Sequence, residues 1–97
     1  MRVVLSPAAH RDRREAESWY RAHSPGAAER FREELRLGLL YISEYPLGSR
    51  IMTGRTRGKT LPRFPYTIVY IILPDRVRVL AVADERRDPT HYAGRFS

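Results

Sequence analysis

The chain has 97 residues, which suffice for one domain over residues 1–97 and exclude a multidomain enzyme. Hydrophobic residues make up 42% of it, so the chain can bury a core, and its high charge alone does not indicate disorder. Its 18 basic and 11 acidic residues give a formal net charge of +7, which favours a polyanion or an acidic protein as partner.

The N-terminal residues predict a short strand followed by a helix. Arg2 to Leu5 is a strand candidate, because Val3 and Val4 are β-branched and Leu5 is apolar, and Ser6-Pro7 has the residue types of a helix N-cap and first helical position. We expect the helix to run from Pro7 to about Ala22. Trp19 lies on its apolar face, so we expect this side chain to anchor the helix in the core.

A second helix is predicted directly after the first. Ser24-Pro25 repeats the start signal, and Pro46 with Gly48 ends the helix near Tyr45. Apolar residues recur along it at helical spacing, namely Ala28, Phe31, Leu35, Leu39 and Ile42. The two helices should therefore form an antiparallel hairpin with a short connection.

The segment after the second helix is rich in glycine and arginine. From Gly48 to Thr60 it is too polar for a core element, so we expect an exposed basic loop. Either Arg50 to Met52 or Thr60 to Phe64 is a candidate for a further strand, although the prolines at 62 and 65 restrict pairing there.

Two strands are predicted in the C-terminal half. Tyr66 to Leu73 is aromatic and β-branched, Pro74-Asp75 is a turn, and Arg76 to Ala83 is the partner strand. Strict alternation puts Val77, Val79, Ala81 and Ala83 on one face of that partner and Arg76, Arg78, Leu80 and Val82 on the other. We expect fold rather than site roles for Phe64, Tyr66, Ile68, Tyr70, Val79 and Ala81.

This order of elements predicts an α+β fold. We expect an N-terminal strand and a two-helix hairpin packed on one face of a twisted antiparallel sheet of three to four strands. A charged tail follows from Asp84, with one helical turn after Asp88-Pro89. The second face of the sheet is then expected to be free for function.

Several classes of site are excluded by residue type. The sequence has no cysteine, which excludes disulfides and thiolate chemistry, and it has no P-loop, dinucleotide or zinc spacing. His10, His23 and His91 are scattered, so we expect neither a metal nor a cofactor, and we expect His10 and His23 to be exposed. The longest apolar run, Ile68 to Leu73, is far below the roughly 18 residues of a membrane span, so we expect a cytoplasmic protein with no membrane partner.

Arginine is the remaining candidate for function. In an antiparallel sheet, the segment that enters the central strand lies beside the segment that leaves its neighbour. Arg57, Lys59 and Arg63 would then converge with Arg86 and Arg87 in a cationic patch. The alternative is that these residues are solvated charges on the surface of a small basic protein, and composition leaves both open.

Several short motifs follow one another in the order and spacing of a known family. They are Trp19-Tyr20, Arg30-Phe31, Ile42 with Pro46, Arg57, Phe64-Pro65-Tyr66, Val79-Leu80-Ala81-Val82, Arg86-Arg87-Asp88-Pro89 and Arg95. In this pattern the chain resembles the RelE/ParE toxin superfamily, above all the branch called plasmid stabilisation proteins. The resemblance spans nearly the whole chain and implies the same strand, helix hairpin and antiparallel sheet.

The resemblance also implies a function. Members are toxins of type II toxin-antitoxin modules, so the expected partner is a cognate antitoxin in a heteromeric complex. RelE-like members cut messenger RNA on the ribosome, whereas ParE-like members inhibit DNA gyrase. We favour ParE-like action without catalysis. The alternatives are a ribosome-dependent endoribonuclease, or a degenerate member that binds only its antitoxin or operator DNA.

The resemblance suggests site residues for each mechanism. For RNA cleavage, Arg87 matches the tail arginine of the RNA-cleaving members, and His91 or Tyr92 would serve as acid or base. The residues expected to bind phosphate or the target are Arg57, Lys59, Arg63, Arg86 and Arg87. The branch usually has His where this chain has Asp84 and Trp where it has Tyr92. A carboxylate at that position opposes phosphate binding, unless Asp84 simply pairs with Arg86 or Arg87.

Overall fold

Two helices lie on one face of a five-stranded sheet in the computed structural model, which describes residues 1–96. The elements are β1 (Val3–Leu5), α1 (Pro7–His23), α2 (Pro25–Glu44), β2 (Arg50–Thr53), β3 (Thr56–Thr60), β4 (Tyr66–Ile72), β5 (Val77–Asp84) and a 3-10 helix (Pro89–Tyr92). The strand order is β1-β5-β4-β3-β2, with β1 parallel to β5 and the other pairs antiparallel. The predicted α+β fold is confirmed, but the sheet is mixed and has more strands than expected.

The helix hairpin follows from two serine-proline signals. The Oγ of Ser6 accepts a hydrogen bond from the Ala9 N–H at 3.1 Å, which caps α1. Ser24 alone separates the helices: its N–H donates to the Tyr20 carbonyl and ends α1, while its own carbonyl accepts the first bond of α2. One shared residue therefore makes the connection tight, and α1 ends one residue beyond the expected Ala22.

The expected basic loop from Gly48 to Thr60 is wrong, because this segment forms the β2–β3 hairpin. Gly54 has a φ of 52° at the turn, a conformation that glycine adopts readily. β3 is polar but pairs along its length with β4, with Arg57 opposite Tyr70 and Thr60 opposite Thr67. Of the two strand candidates, Arg50 to Met52 is confirmed; Thr60 to Phe64 is wrong, since β3 ends at Thr60.

The main core lies between the helices and the sheet. Its fully buried members include Phe31 and Ile42 of α2, together with Ile68 and Tyr70 of β4. The Tyr70 hydroxyl donates a 2.7 Å hydrogen bond to the Pro46 carbonyl, so this buried polar group has a partner. The predicted fold roles of Tyr66, Ile68, Tyr70, Val79 and Ala81 are confirmed by their burial, whereas Phe64 is only half-buried.

A bulge in β5 changes which residues face the helices. Val69 pairs with Ala81 and Tyr70 with Val79, so Leu80 is an extra residue in β5. As a result Val79 and Val82 both belong to the helix-side core, and Ala81 packs on the opposite face. The strict alternation expected for this strand is therefore wrong beyond Leu80.

The second face of the sheet is partly covered, which corrects the expectation that it is free. Tyr92 of the 3-10 helix and Phe96 pack against Val69 and Ala81 there. The Thr56 hydroxyl of β3 also donates to the Phe96 carbonyl at 3.3 Å. The predicted helical turn after Asp88-Pro89 is confirmed, and it brings the tail back over the sheet.

The core predicts a graded response to shortening Tyr70. Tyr70→Ala should lower the free energy of unfolding by about 3–5 kcal/mol, because the side chain is fully buried. Tyr70→Phe should cost about 1 kcal/mol, since it removes only the bond to Pro46. Urea denaturation measures both, with half-buried Phe64→Ala as a milder comparison. A Tyr70→Ala protein as stable as the wild type would contradict this core.

Candidate functional site

A cleft of about 330 Å³ lies between α1 and the end of β5. It is the place where the last strand and the tail pass the middle of the first helix. Its lining combines acidic, basic and aromatic side chains: Asp12, Glu15, Ala16, Trp19, Tyr66, Val82, Asp84, Arg86, Arg87 and Tyr92. Two predicted site arginines and Tyr92 thus meet here.

An ion pair between Asp84 and Arg86 forms one wall of the cleft. The Nε and Nη2 of Arg86 donate to the two carboxylate oxygens of Asp84 at 3.0 and 3.1 Å, and the Arg86 backbone N–H adds a bond of 2.9 Å. Nη2 also reaches the Tyr66 hydroxyl at 3.4 Å. The bidentate geometry fixes the guanidinium plane. The prediction that Asp84 pairs with a neighbouring arginine is therefore confirmed, and the partner is Arg86.

The pKa values of these groups reflect the pair. Burial alone would raise the pKa of Asp84, but the side-chain and backbone hydrogen bonds from Arg86 outweigh it and lower that pKa below its usual value. The bond to Asp84 in turn raises the pKa of Arg86. Burial, followed by the charge of Asp84, raises the pKa of Tyr66 to about 12. At neutral pH the pair is ionised and Tyr66 is protonated.

Tyr92 is held by the same strand end. Its side chain is buried, and its hydroxyl oxygen accepts a 2.8 Å hydrogen bond from the Asp84 N–H. Burial raises the pKa of Tyr92 despite that bond, so the phenol is neutral at physiological pH. Its hydroxyl therefore has a structural partner in the backbone of β5.

Trp19 is exposed rather than a core anchor, which corrects the sequence-based prediction. The side chain is 47% exposed, and its neighbour Tyr20 takes the core position against Phe31. Adjacent helical residues differ by about 100° in direction, so only one of the two can point inward. Trp19 instead stacks on exposed His23 at 4.0 Å and lies 5.6 Å from the Arg86 guanidinium.

An ion pair between buried Asp12 and partly exposed Arg95 borders the cleft. The Asp12 carboxylate of α1 accepts hydrogen bonds from the Arg95 guanidinium at 2.6 and 3.2 Å. One of its oxygens also accepts from the Val82 N–H at 3.0 Å. Both long-range partners come from elements far along the chain, so Asp12 joins α1, β5 and the tail. Asp12 is not among the site residues predicted from the sequence, although an acid within an apolar helix face is a recognisable signal.

The cations of β3 lie at another part of the sheet. The Arg57 guanidinium donates to the Ser49 carbonyl at 2.8 Å, and the Lys59 ammonium lies 4.4 Å from the centre of the Tyr41 ring on α2. β4 separates β3 from β5, so these side chains lie on a different part of the sheet from Arg86, which follows β5. The structure does not join Arg57 and Lys59 to the cleft.

Of the other predicted site residues, Arg63 lies near β3, whereas Arg87 lies at the cleft with His91 beside it. The Arg63 backbone N–H donates to Glu34 of α2 at 3.0 Å, which places it on the β3 side. Arg87 lines the cleft, with an Nη 3.9 Å from the Glu15 carboxylate. The Nη1 of Arg87 is also 3.2 Å from Nε2 of His91, and both side chains are exposed. Of the candidate residues for RNA cleavage, Arg87 and His91 are therefore in direct side-chain contact.

The charges of the cleft limit its chemistry. Its lining has three carboxylates, Asp12, Glu15 and Asp84, against the two guanidiniums of Arg86 and Arg87. A phosphate would meet more negative than positive groups, which is unfavourable for an anion site. Within residues 1–96, no group of three or more candidate ligands is placed to hold a metal ion.

Comparison with known proteins agrees with this architecture. The family model for the ParE toxin of the type II toxin-antitoxin system parDE matches residues 3–89. The solved structure of a chromosomal ParDE TA system from P. aeruginosa has a similar fold, with a TM-score of 0.76 at 15% identity over 87% of this chain and 95% of that one. No curated protein matches the chain significantly in sequence.

The chain is a small basic α+β domain with a helix hairpin on a mixed sheet. The chain belongs to the ParE toxin family of type II toxin-antitoxin systems. The resemblance to the RelE/ParE superfamily is confirmed, and the family implies an antitoxin as partner. None of the helices within residues 1–96 is long and apolar enough to cross a membrane.

The Asp84–Arg86 pair predicts a pH-dependent stability. Because folding lowers the pKa of Asp84, its contribution is complete above its unfolded pKa of about 4 and is lost as the pH falls through the folded value. Asp84→Asn should therefore lower the free energy of unfolding by about 1–2 kcal/mol at pH 7, and this deficit should shrink by pH 3.

The matched control is Asp75→Asn, which breaks the exposed pair between Asp75 and Arg76. Exposed ion pairs contribute little, so we expect no measurable loss. Chemical denaturation at several pH values compares the two variants. A deficit for Asp84→Asn that stays constant from pH 7 to pH 3 would contradict the ionised pair.

Proposed function

We propose that this toxin inhibits DNA gyrase by binding it, without catalysing a reaction. The observation that carries the proposal is the role of Asp84, whose carboxylate binds Arg86 and whose N–H binds the Tyr92 hydroxyl. Two groups that an RNA-cleaving site would need for charge stabilisation and proton transfer thereby have structural partners. Membership of the ParE family supports the same choice.

RNA cleavage requires a base for the 2′-hydroxyl, an acid for the leaving oxygen and cations for the developing phosphorane. In the cleft, the Arg86 charge is balanced by Asp84, and Tyr92 is buried with a raised pKa. Glu15 adds negative charge where a phosphate would bind, whereas Asp12 is already paired with Arg95. The chemistry therefore favours a surface that binds another protein.

Trp19 is the proposed centre of the gyrase-binding surface. Tryptophan and arginine are the residues most enriched among energetically dominant interface contacts. The exposed indole borders the cleft beside Arg86 and Arg87, so apolar and cationic contacts are available together. We propose Arg57, Lys59 and Arg63 as more distant contacts that attract an acidic surface.

Ribosome-dependent RNA cleavage is the second candidate, and one contact favours it. The His91 ring lies 3.2 Å from the Arg87 guanidinium, and both side chains reach solvent. If these two residues and Tyr92 act on RNA, replacing any one should lower the cleavage rate by a factor of about 100 or more. For a gyrase inhibitor, the same changes would only weaken binding.

The direct experiment incubates purified toxin with gyrase and relaxed plasmid, and in parallel with translating ribosomes. We expect loss of supercoiling or trapped double-strand breaks, with the message intact. Codon-positioned cuts in the message would contradict the proposal and identify a ribonuclease. If neither reaction changes while the antitoxin still binds, the chain is a degenerate member without toxic activity.

Trp19→Ala tests the proposed surface. We expect the concentration needed for half-inhibition of supercoiling to rise at least tenfold, since this is the scale of an interface hot spot. Thermal stability should change little, because the indole is 47% exposed. The control is Leu37→Ala on α2, which removes a side chain of similar exposure at 48%. Equal inhibition by the Trp19 and Leu37 variants would exclude Trp19 from the gyrase contact.

A further inference from the structure

The strand β2 is an open edge of the sheet. It pairs with β3 on one side and is the last strand in the order, and all four of its residues are exposed. An edge strand presents backbone N–H and C=O groups that can pair with another extended chain. The opposite edge, β1, has only three residues and is partly buried against the helices.

The hairpin that carries this edge has a uniform charge. Between Glu44 and Asp75 the sequence contains no acidic residue. The same stretch contains five cations, namely Arg50, Arg55, Arg57, Lys59 and Arg63. Four of the five lie on or beside β2 and β3, so a partner at this edge meets a continuous positive field.

The edge also carries apolar side chains. Ile51 is 61% exposed, and Leu47, just before the strand, is 71% exposed. Met52 lies on the other face, where its side chain covers Gly58 of β3. Ile51 pairs with Arg57 across the hairpin, so one face of the edge offers an apolar contact beside a cation. A strand that alternates apolar and acidic residues matches this arrangement.

Two of the cations are fixed in place rather than free to follow a phosphate backbone. The Arg57 guanidinium donates to the carbonyls of Leu47 and Ser49, and the Lys59 ammonium lies over the Tyr41 ring. They supply positive potential from fixed positions, with Nη1 of Arg57 bound to backbone carbonyls and the Lys59 ammonium held at an aromatic ring. Together with the exposed apolar groups, this favours a peptide over a nucleic acid.

We infer that the β2 edge binds an extended, acidic segment of the antitoxin as a sixth strand of the sheet. Main-chain hydrogen bonds along β2 would hold the segment, its apolar side chains would cover Ile51 and Leu47, and its carboxylates would face the cations. The inference rests on the antitoxin partner that the family implies and does not require gyrase to be the target, although Arg57 and Lys59 appear in both proposals.

A second copy of this chain fits the edge poorly. Pairing β2 with itself would bring Arg50 and Arg55 of both copies together, without an acid in either hairpin. Like charges on directly opposed strands are destabilising. An acidic partner would not experience this repulsion. The edge is therefore expected to bind an acidic antitoxin segment more tightly than a second copy of the chain.

The test measures binding of the purified antitoxin encoded beside this chain. In Arg50→Glu/Arg55→Glu, we expect association at least tenfold slower and a weaker salt dependence than in the wild type. Ile51→Lys should speed dissociation at least tenfold. The charge-matched control is Arg11→Glu/Arg21→Glu, which alters two exposed arginines of α1 and should bind within threefold of the wild type.

Amide hydrogen exchange locates the contact on the wild-type complex. We expect exchange at Arg50–Thr53 to slow at least tenfold on binding, while Val3–Leu5 at the other edge is unchanged. Unprotected β2 amides in a saturated complex would overturn the inference. So would binding of the Arg50/Arg55 variant as fast as its control.

If a second copy of the chain or DNA binds the β2 edge instead of the antitoxin, each gives a distinct result. Concentration-dependent protection of β2 in the toxin alone would assign the edge to a second copy and overturn the inference. Displacement of the antitoxin from β2 by a short DNA duplex at physiological salt would assign it to nucleic acid, with the same consequence. Gyrase supercoiling is measured separately with the same Arg50/Arg55 variant, so a failure of the antitoxin site is distinguished from a failure of the proposed target.

Discussion

The carboxylate of Asp12 is the interaction on which the arrangement of helix, sheet and tail depends. It is buried on α1 and accepts hydrogen bonds from the Val82 N–H and from the Arg95 guanidinium. A buried charge without such partners is strongly unfavourable, so the three groups require one another. Val82 follows the bulge at Leu80, and Arg95 precedes Phe96 on the second face. One carboxylate therefore joins α1 both to β5 just after the bulge and to the tail where it returns over the sheet.

The elements that could be predicted from the sequence are those whose own residues determine them. Both helices carry serine-proline starts, and α2 has a sustained apolar stripe that ends in Ile42. β3 could not be predicted in this way, because its residues are polar and its strand conformation depends on pairing with β4. The bulge at Leu80 also leaves no local signal, because it depends on the packing of Val79 and Val82 against the helices.

The cleft was predictable only in part. The proximity of Asp84 and Arg86 follows from their separation by two residues at the end of a strand. The separation of Lys59 from Arg86 depends on strand order, because β4 lies between their strands and neighbouring strands are about 4.8 Å apart. The exposure of Trp19 depends on the choice between two adjacent aromatic residues, which the packing of Tyr20 against Phe31 and Phe64 decides.

We propose that the toxin acts by occupying its target rather than by turnover, since Asp84 engages both Arg86 and the Tyr92 hydroxyl. The most direct measurement titrates purified toxin against a fixed amount of gyrase well above the dissociation constant. We expect supercoiling to fall linearly and to end at a fixed, near-stoichiometric ratio of toxin to gyrase. Inactivation of many target molecules by each toxin, whether gyrase or ribosome-bound message, would contradict it.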